Sequence, residues 1–156
     1  MTQNTKSMIR LPLILAAAVI IIRIILEQLG SPSVVNNIFG VAWFYFLVPV
    51  YFALEISKSG TASPYKSLFI SLLLFIVYTR IMVMATYMLA WSLQWQAPRF
   101  STDNGGVVGE GVTALQGLLI TPITGAFFWV VSGVILGMII GGITLVIKRK
   151  KAPVKV

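Results

Sequence analysis

Four long runs of apolar residues, separated by short polar segments, dominate the pattern along the chain. About 20 apolar residues cross the hydrocarbon core of a bilayer. A run of that length must be helical there, because lipid offers no partner for backbone N–H and C=O groups. The pattern therefore predicts an all-α membrane protein, a four-transmembrane-helix bundle in which residues 1–156 form a single membrane domain. The predicted helices cover about residues 9–29, 35–56, 66–95 and 122–147.

Polar segments set the predicted connections between these helices. Short turns near Gly30 and Gly60 join the first three, and residues 96–121 form a predicted external loop between the third and the fourth. Within that loop, residues 112–120 are apolar but too short to span a bilayer, which leaves either a helix on the membrane surface or a re-entrant piece. Pro49 lies well inside the second run, where it should kink the helix and free the carbonyl of Tyr45.

Glycines recur every four residues along the fourth run, at Gly133, Gly137 and Gly141. Residues four apart share one face of a helix. Small residues on such a face let a neighbouring backbone approach closely, which is how helices associate where no hydrophobic driving force exists. The strip therefore predicts helix packing, and we favour packing within one chain over a seam between two copies.

The charges indicate an orientation in the membrane. Lysine and arginine number 12 against 4 acidic residues, for a net charge of +8. Cations near membrane helices collect on the cytoplasmic side, so both termini and a basic tail over residues 148–156 are predicted to be cytoplasmic in a multi-pass protein of the cell (inner) membrane. The opposite side carries only Arg99. The predicted cytoplasmic cations are Lys6, Arg10, Lys58, Lys66, Lys148, Arg149, Lys150, Lys151 and Lys155.

Three charges fall inside the predicted spans and away from their predicted cytoplasmic ends. Arg80 lies 14 residues, about 21 Å, from Lys66 at the inner end of its helix. Arg23 lies 13 residues from Arg10, at nearly the same depth, and Glu27 is one turn further out. We therefore predict a cluster of Arg23, Glu27 and Arg80 in the outer half of the membrane, with two cations and one anion.

Two interpretations of this cluster remain open. In the functional one, its spare positive charge binds a carboxylate, a phosphate or a lipid head group. In the structural one, Arg23 pairs with Glu27 or reaches towards the interface, and Arg80 bonds to backbone carbonyls that a break such as Pro49 exposes. The interpretations differ in one observable, because a binding protein should have a cavity that reaches Arg80.

The residue types restrict the chemistry further. The chain has no histidine and no cysteine, which removes the commonest metal ligand, the commonest general base and thiol chemistry. No catalytic triad or phosphate-binding glycine loop is present, and we expect neither a metal nor a cofactor. The distribution of cations also argues against nucleic acid as a partner. An enzyme is the third alternative, because few groups other than Glu27, Glu55 and Arg80 could do acid–base work.

Two functional hypotheses follow from this set of features. The first is a non-catalytic subunit or assembly partner of a larger membrane complex, supported by small size, few polar groups and the glycine strip. The second is a small transporter or ligand-binding membrane protein that uses Arg23, Glu27 and Arg80 to hold an anionic or lipid-like ligand. The expected partners are membrane lipids, together with other membrane-protein subunits or a second copy of the chain under the first hypothesis.

Overall fold

A computed structural model describes residues 3–150 of the chain, and the side chains of residues 7–148 among them. The part of the predicted tail from residue 151 onwards lies outside this range. The described residues form an all-helical structure, and four segments are long and apolar enough to cross a membrane, which confirms that part of the prediction: Ser7–Gln28, Ser33–Lys58, Pro64–Leu93 and Gln116–Lys148. The main helices are α1 (Gln3–Gln28), α2 (Ser33–Ile38), α3 (Phe44–Lys58), α4 (Pro64–Leu93) and α5 (Thr121–Lys150).

The second apolar run is two helices rather than the single predicted one. Helix α2 ends at Ile38, and a short 3₁₀ turn over Val41–Trp43 leads into α3. The break lies at Gly40, where a Cβ atom would come within 2.9 Å of the Asn37 carbonyl oxygen and 3.7 Å of Arg23 Nη1. The chain therefore bends beside the arginine of α1, at a residue whose missing side chain allows the close approach to the Asn37 carbonyl.

The glycine strip packs inside the chain. A Cβ atom at Gly133, Gly137 or Gly141 would come within 3.3, 3.1 or 2.8 Å of an α4 side chain. The same face also lies against α3, since a Cβ at Gly141 would be 3.1 Å from the Pro49 carbonyl oxygen. Helix α5 is thus held closely by two neighbours at once. The α4 side chains concerned are Ile76, Leu72 and Leu68, in that order.

Residues 116–120, within the apolar segment 112–120, run directly into the last helix and do not form a helix separate from it. They form a π-helical turn, in which the Thr121 N–H bonds to the Gln116 carbonyl, and α5 follows directly. Pro122 supplies the physical reason, because it has no N–H to donate to the carbonyl four residues earlier and the wider turn accommodates the missing bond. The predicted loop 96–121 is correspondingly shorter.

The rest of that loop folds into a compact structure over residues 97–108, which we term the cap. The Phe100 carbonyl accepts hydrogen bonds from the N–H groups of Val107 and Val108, both at 2.7 Å, and the Thr102 N–H donates to the Val108 carbonyl at 2.9 Å. Phe100 is fully buried, and its ring packs edge-on against Tyr87 of α4, with centroids 5.2 Å apart. This packing places the cap over the end of the bundle at which α4 finishes.

Candidate ligand-binding site

Arg80 is buried in the middle of α4, with only 8% of its surface exposed. Its Nε–H donates to the hydroxyl of Tyr45 on α3. Its guanidinium carbon also lies 4.9 Å from the ring centroid of Tyr45 and 4.6 Å from that of Trp129 on α5. The faces of aromatic rings attract cations, and more strongly where water is excluded. Two neighbouring helices therefore hold this arginine by aromatic contacts, and its hydrogen bond goes to a hydroxyl rather than to a backbone carbonyl.

The expected cluster of Arg23, Glu27 and Arg80 is divided in the structure. Arg23 Nε lies 2.8 Å from Glu27 Oε1, as the four-residue spacing suggests. The other oxygen of Glu27 faces Arg99 of the cap, with 2.9 Å between Arg99 Nε and Oε2. No ion pair joins Glu27 to Arg80 among the described residues. Counting residues gives the depth of a side chain in the membrane but not the rotation of its helix, and Arg80 is turned towards α3 and α5.

The contact between Arg99 and Glu27 is an ion pair with imperfect geometry. The two atoms are close, yet the angle at Nε does not meet that of a hydrogen bond, and Nη2 of Arg99 is buried without a described partner. Burial lowers the pKa of the Arg99 guanidinium, and the neighbouring Glu27 carboxylate opposes this effect. Arginine nevertheless stays charged in proteins. The ion pair ties the cap to α1, at the cost of donors that lack their full set of bonds.

A cavity of about 330 Å³ opens beside Arg80. One part of its lining is polar and consists of Arg80, Tyr87, Asn104 and Thr121. The rest is apolar or small and comes from two helices and the cap. At Gly125, a Cβ atom would meet nothing within 4 Å, so this wall leaves open space next to the exposed surface of α5. The remaining lining residues are Val83, Met84, Gly105, Pro122, Gly125, Ala126 and Trp129.

The terminal nitrogens of Arg80, a residue that lines this cavity, make no hydrogen bond among the described residues. A guanidinium group has five N–H donors, and within the described residues only Nε of Arg80 makes a hydrogen bond. Some buried nitrogens of the structure are shielded from solvent and lack a hydrogen-bond partner, such as Nε and Nη2 of Arg99. The two Nη atoms of Arg80 are not shielded in this way. Four donors in a planar fork therefore remain for a group inside the cavity, and that fork matches the oxygens of a carboxylate or phosphate.

A second cavity of about 290 Å³, which we term the outer cavity, lies beneath the other side of the cap. Its lining includes the ion-paired residues Arg23, Glu27 and Arg99. Tyr87 and Asn104 line both cavities, which are therefore adjacent at these two residues. The two halves of the predicted cluster therefore face adjacent cavities under one cap. The outer cavity is completed by Ser33, Asn36, Asn37 and Pro98.

Four residues of the site were not predicted as such from the sequence. Tyr45, Tyr87 and Trp129 belong to aromatic-rich helices, where packing or interfacial roles are commoner than ligand binding. From the sequence alone, Arg99 is interpreted as a solvated cation in a loop. A usable signal existed for Tyr45, which lies 13 residues from Lys58 and hence at the depth of Arg80. For Arg99, only the fold of the cap reveals its position.

Comparisons of the chain with protein-family models, with curated proteins and with solved structures gave no match. Its function is therefore inferred from the geometry of the site.

Proposed function

We propose that this chain is a small transporter or ligand-binding membrane protein that holds the carboxylate or phosphate group of a lipid-like molecule at Arg80. The observation that carries the proposal is the cavity that reaches Arg80, with the terminal nitrogens of the guanidinium free to donate. The sequence analysis left a functional and a structural interpretation of the charge cluster open, and a cavity that reaches Arg80 is the feature that separates them. A tightly packed contact around Arg80, without a cavity, would have favoured the structural interpretation.

The charge of Arg80 supports an anionic ligand. Placing a charged side chain at the centre of a membrane helix costs about 3 kcal/mol even on the lenient insertion scale. Tyr45 and Trp129 stabilise the cation, but neither neutralises it. A carboxylate or phosphate in the cavity would supply the missing counter-charge, through charge-assisted hydrogen bonds to both Nη atoms.

The remaining lining supports an amphipathic ligand rather than a free ion. Val83, Met84 and Ala126 offer apolar contacts a short distance from Arg80. Gly125 leaves the outer face of α5 open beside them, where lipid surrounds a membrane helix. An acidic head group at Arg80 with its apolar chain against this wall satisfies both kinds of lining.

The subunit hypothesis loses one of its supports. Gly133, Gly137 and Gly141 face α3 and α4 of the same chain, so the strip is already occupied and offers no seam to another protein. Small size and few polar groups remain compatible with either hypothesis. Association with other subunits is accordingly an outcome to be tested alongside binding.

We further propose that both termini are cytoplasmic and that the cap faces the outside of the inner membrane. The positive-inside bias motivates this orientation. Its geometry is consistent, because Ser57, Pro64 and Lys148 line one small cavity at one end of the bundle, whereas the cap lies at the other. The basic segments flanking α3, α4 and α5 therefore meet at a single end.

Titration of the lipid-free protein with dodecyl phosphate, in dodecyl maltoside micelles, tests the function. Emission of tryptophan, including Trp129 beside Arg80, reports occupancy. We expect saturable binding that Arg80→Gln weakens at least tenfold, since a hydrogen bond to a charged group contributes roughly 1.5–3 kcal/mol and 1.4 kcal/mol is about tenfold. Gly125→Leu should weaken it as well by filling the cavity, because its side chain enters open space.

Arg10→Gln is the matched control, since Arg10 is exposed near the opposite end of the bundle and its removal should leave binding unchanged. Thermal unfolding of each variant separates lost binding from lost structure. Equal affinity of the wild-type chain and the folded Arg80→Gln variant would overturn the proposal. Binding of inorganic phosphate as tightly as dodecyl phosphate would replace the lipid-like ligand with a free anion.

A further inference from the structure

The outer cavity extends the site beyond Arg80. Tyr87 lies seven residues, or about 10 Å, further out along α4 than Arg80, yet both line the same cavity. At Tyr87 and Asn104 that cavity meets the outer one. The outer cavity, with a second set of polar side chains, therefore lies next to the Arg80 cavity on the side of Tyr87 and Asn104.

The charges of the outer cavity select against a cationic substituent. Arg23 and Arg99 carry two positive charges and Glu27 one negative charge. Oε1 of Glu27 accepts a hydrogen bond from Arg23, and Oε2 lies 2.9 Å from Arg99 Nε in an ion pair without a hydrogen bond. Its carboxylate is also almost completely buried, with 2% of the side chain exposed. An ammonium group would meet a net positive charge without a free carboxylate, and like charges at close range repel.

The uncharged polar groups of the outer cavity suit hydroxyl groups instead. The side chains of Ser33 and Asn37 are exposed, and neither makes a side-chain hydrogen bond within the described residues. Asn36 differs, because Ser31 occupies both ends of its amide. Ser33 and Asn37 therefore provide free donors and acceptors, which are the partners that hydroxyl groups need.

We propose that the ligand is an acidic lipid whose phosphate carries an uncharged, hydroxyl-bearing substituent such as glycerol, with the phosphate at Arg80 and the hydroxyl groups at the outer cavity. This inference rests on the proposed function. The apolar chain lies against the wall at Gly125, the phosphate meets the guanidinium fork, and the substituent passes Tyr87 and Asn104.

The test compares three lipids with identical acyl chains, phosphatidylglycerol, phosphatidic acid and phosphatidylcholine, by tryptophan emission of the lipid-free protein in uncharged micelles. The titrations are made at about pH 5, below the second pKa of a phosphate monoester, so that phosphatidylglycerol and phosphatidic acid each carry one negative charge. We expect phosphatidylglycerol to bind about tenfold more tightly than phosphatidic acid, as two added hydrogen bonds would produce, and phosphatidylcholine to bind most weakly. Asn37→Leu should abolish the preference for phosphatidylglycerol and leave the affinity for phosphatidic acid unchanged. Gln28→Leu, at an exposed position outside the lining of both cavities, is the matched control.

The outcomes separate this inference from the proposed function. Equal binding of phosphatidylglycerol and phosphatidic acid, both lost in Arg80→Gln, would overturn the inference and leave the function standing. Absence of binding by either acidic lipid would overturn both. If Asn37→Leu does not fold, Asn37→Ala and Ser33→Ala remove the hydrogen-bonding groups without adding bulk. A preference for phosphatidylglycerol that survives in both folded variants would also overturn the inference.

Discussion

The buried charges of this bundle lie in two different environments. Glu27 is held between Arg23 and Arg99, with an oxygen directed at each. Arg80 instead contacts Tyr45 and Trp129, which carry no formal charge. In the first environment a carboxylate is ion-paired with both arginines, whereas in the second Arg80 lines a cavity and has no ion pair among the described residues. That difference is the reason for placing the ligand's anionic group at Arg80.

Double-mutant cycles test this division of the charges. Glu27→Gln combined with Arg99→Gln should show a coupling energy of about 0.5–3 kcal/mol, because the two side chains are in contact. Glu27→Gln combined with Arg80→Gln should be additive within about 0.5 kcal/mol, because the two residues face different cavities. The free energy of unfolding in mixed micelles provides the measurement. Coupling of Glu27 to Arg80 as strong as that to Arg99 would contradict the structure.

At the residue scale, the sequence predicts pairs on one helix better than contacts between helices. Counting from the flanking cations places Arg23, Glu27 and Arg80 in the outer half of the membrane, and the pairing of Arg23 with Glu27 follows from their spacing. The partners of Arg80 depend on how α4 is rotated against α3 and α5. An apolar run with little amphipathic pattern carries little information about that rotation. Arg99 reaches Glu27 only because the cap folds back over the bundle.

At the scale of elements, the last helix depends on small residues at closely packed positions. Gly141 is buried, and a Cβ there would lie 2.8 Å from a Leu68 methyl and 3.1 Å from the Pro49 carbonyl. Gly142 is its neighbour in sequence, yet a Cβ there would meet nothing within 4 Å. The two positions therefore separate the effect of packing from that of the glycine itself.

Gly141→Ala should destabilise the protein by about 1–3 kcal/mol, as overpacking of a dense interior does. The backbone carbonyl of Pro49 cannot move aside as a flexible side chain can, so α5 must shift away from α3. Gly142→Ala is the matched control and should not lower the free energy of unfolding. Equal stabilities of the two variants would show that α5 does not pack against α3 and α4 as described.

Hydropathy predicts the helical segments well because each must satisfy its backbone internally in lipid. The details that it misses are local departures from a straight helix. The break at Gly40 involves a close approach to the Asn37 carbonyl that excludes a Cβ atom, and the π-helical turn depends on how the chain accommodates Pro122. Neither changes the number of apolar residues in its run, so neither alters the pattern from which the spans were predicted.

At the scale of the whole molecule, the two ends of the bundle differ in chemistry. One end gathers exposed cations such as Lys58, Lys66 and Lys148, and the other carries the cap and the two cavities. The charge bias predicts that the first end is cytoplasmic, which would open the binding site towards the outer side of the membrane. A ligand of the outer leaflet would then reach Arg80 without crossing the bilayer.

Reporter fusions test this orientation. A reporter that is active only in the cytoplasm should be active after Val156, and one inserted at Gly109, just beyond the cap, should behave as exported. The same insertions in a chain whose Lys58 and Lys66 are replaced by glutamine should show mixed orientation, because the bias weakens. An exported reporter after Val156 in the unaltered chain would contradict the proposed topology.

Native mass spectrometry of the tagged protein, extracted gently at its natural abundance, tests the central proposal most directly. We predict that the chain carries one small bound mass that fragments as an acidic lipid, and that Arg80→Gln removes this mass while Arg10→Gln retains it. A chain that instead arrives with other polypeptides in fixed ratio and without a small bound mass would contradict the proposal, and would make Arg80 a packing residue of a subunit.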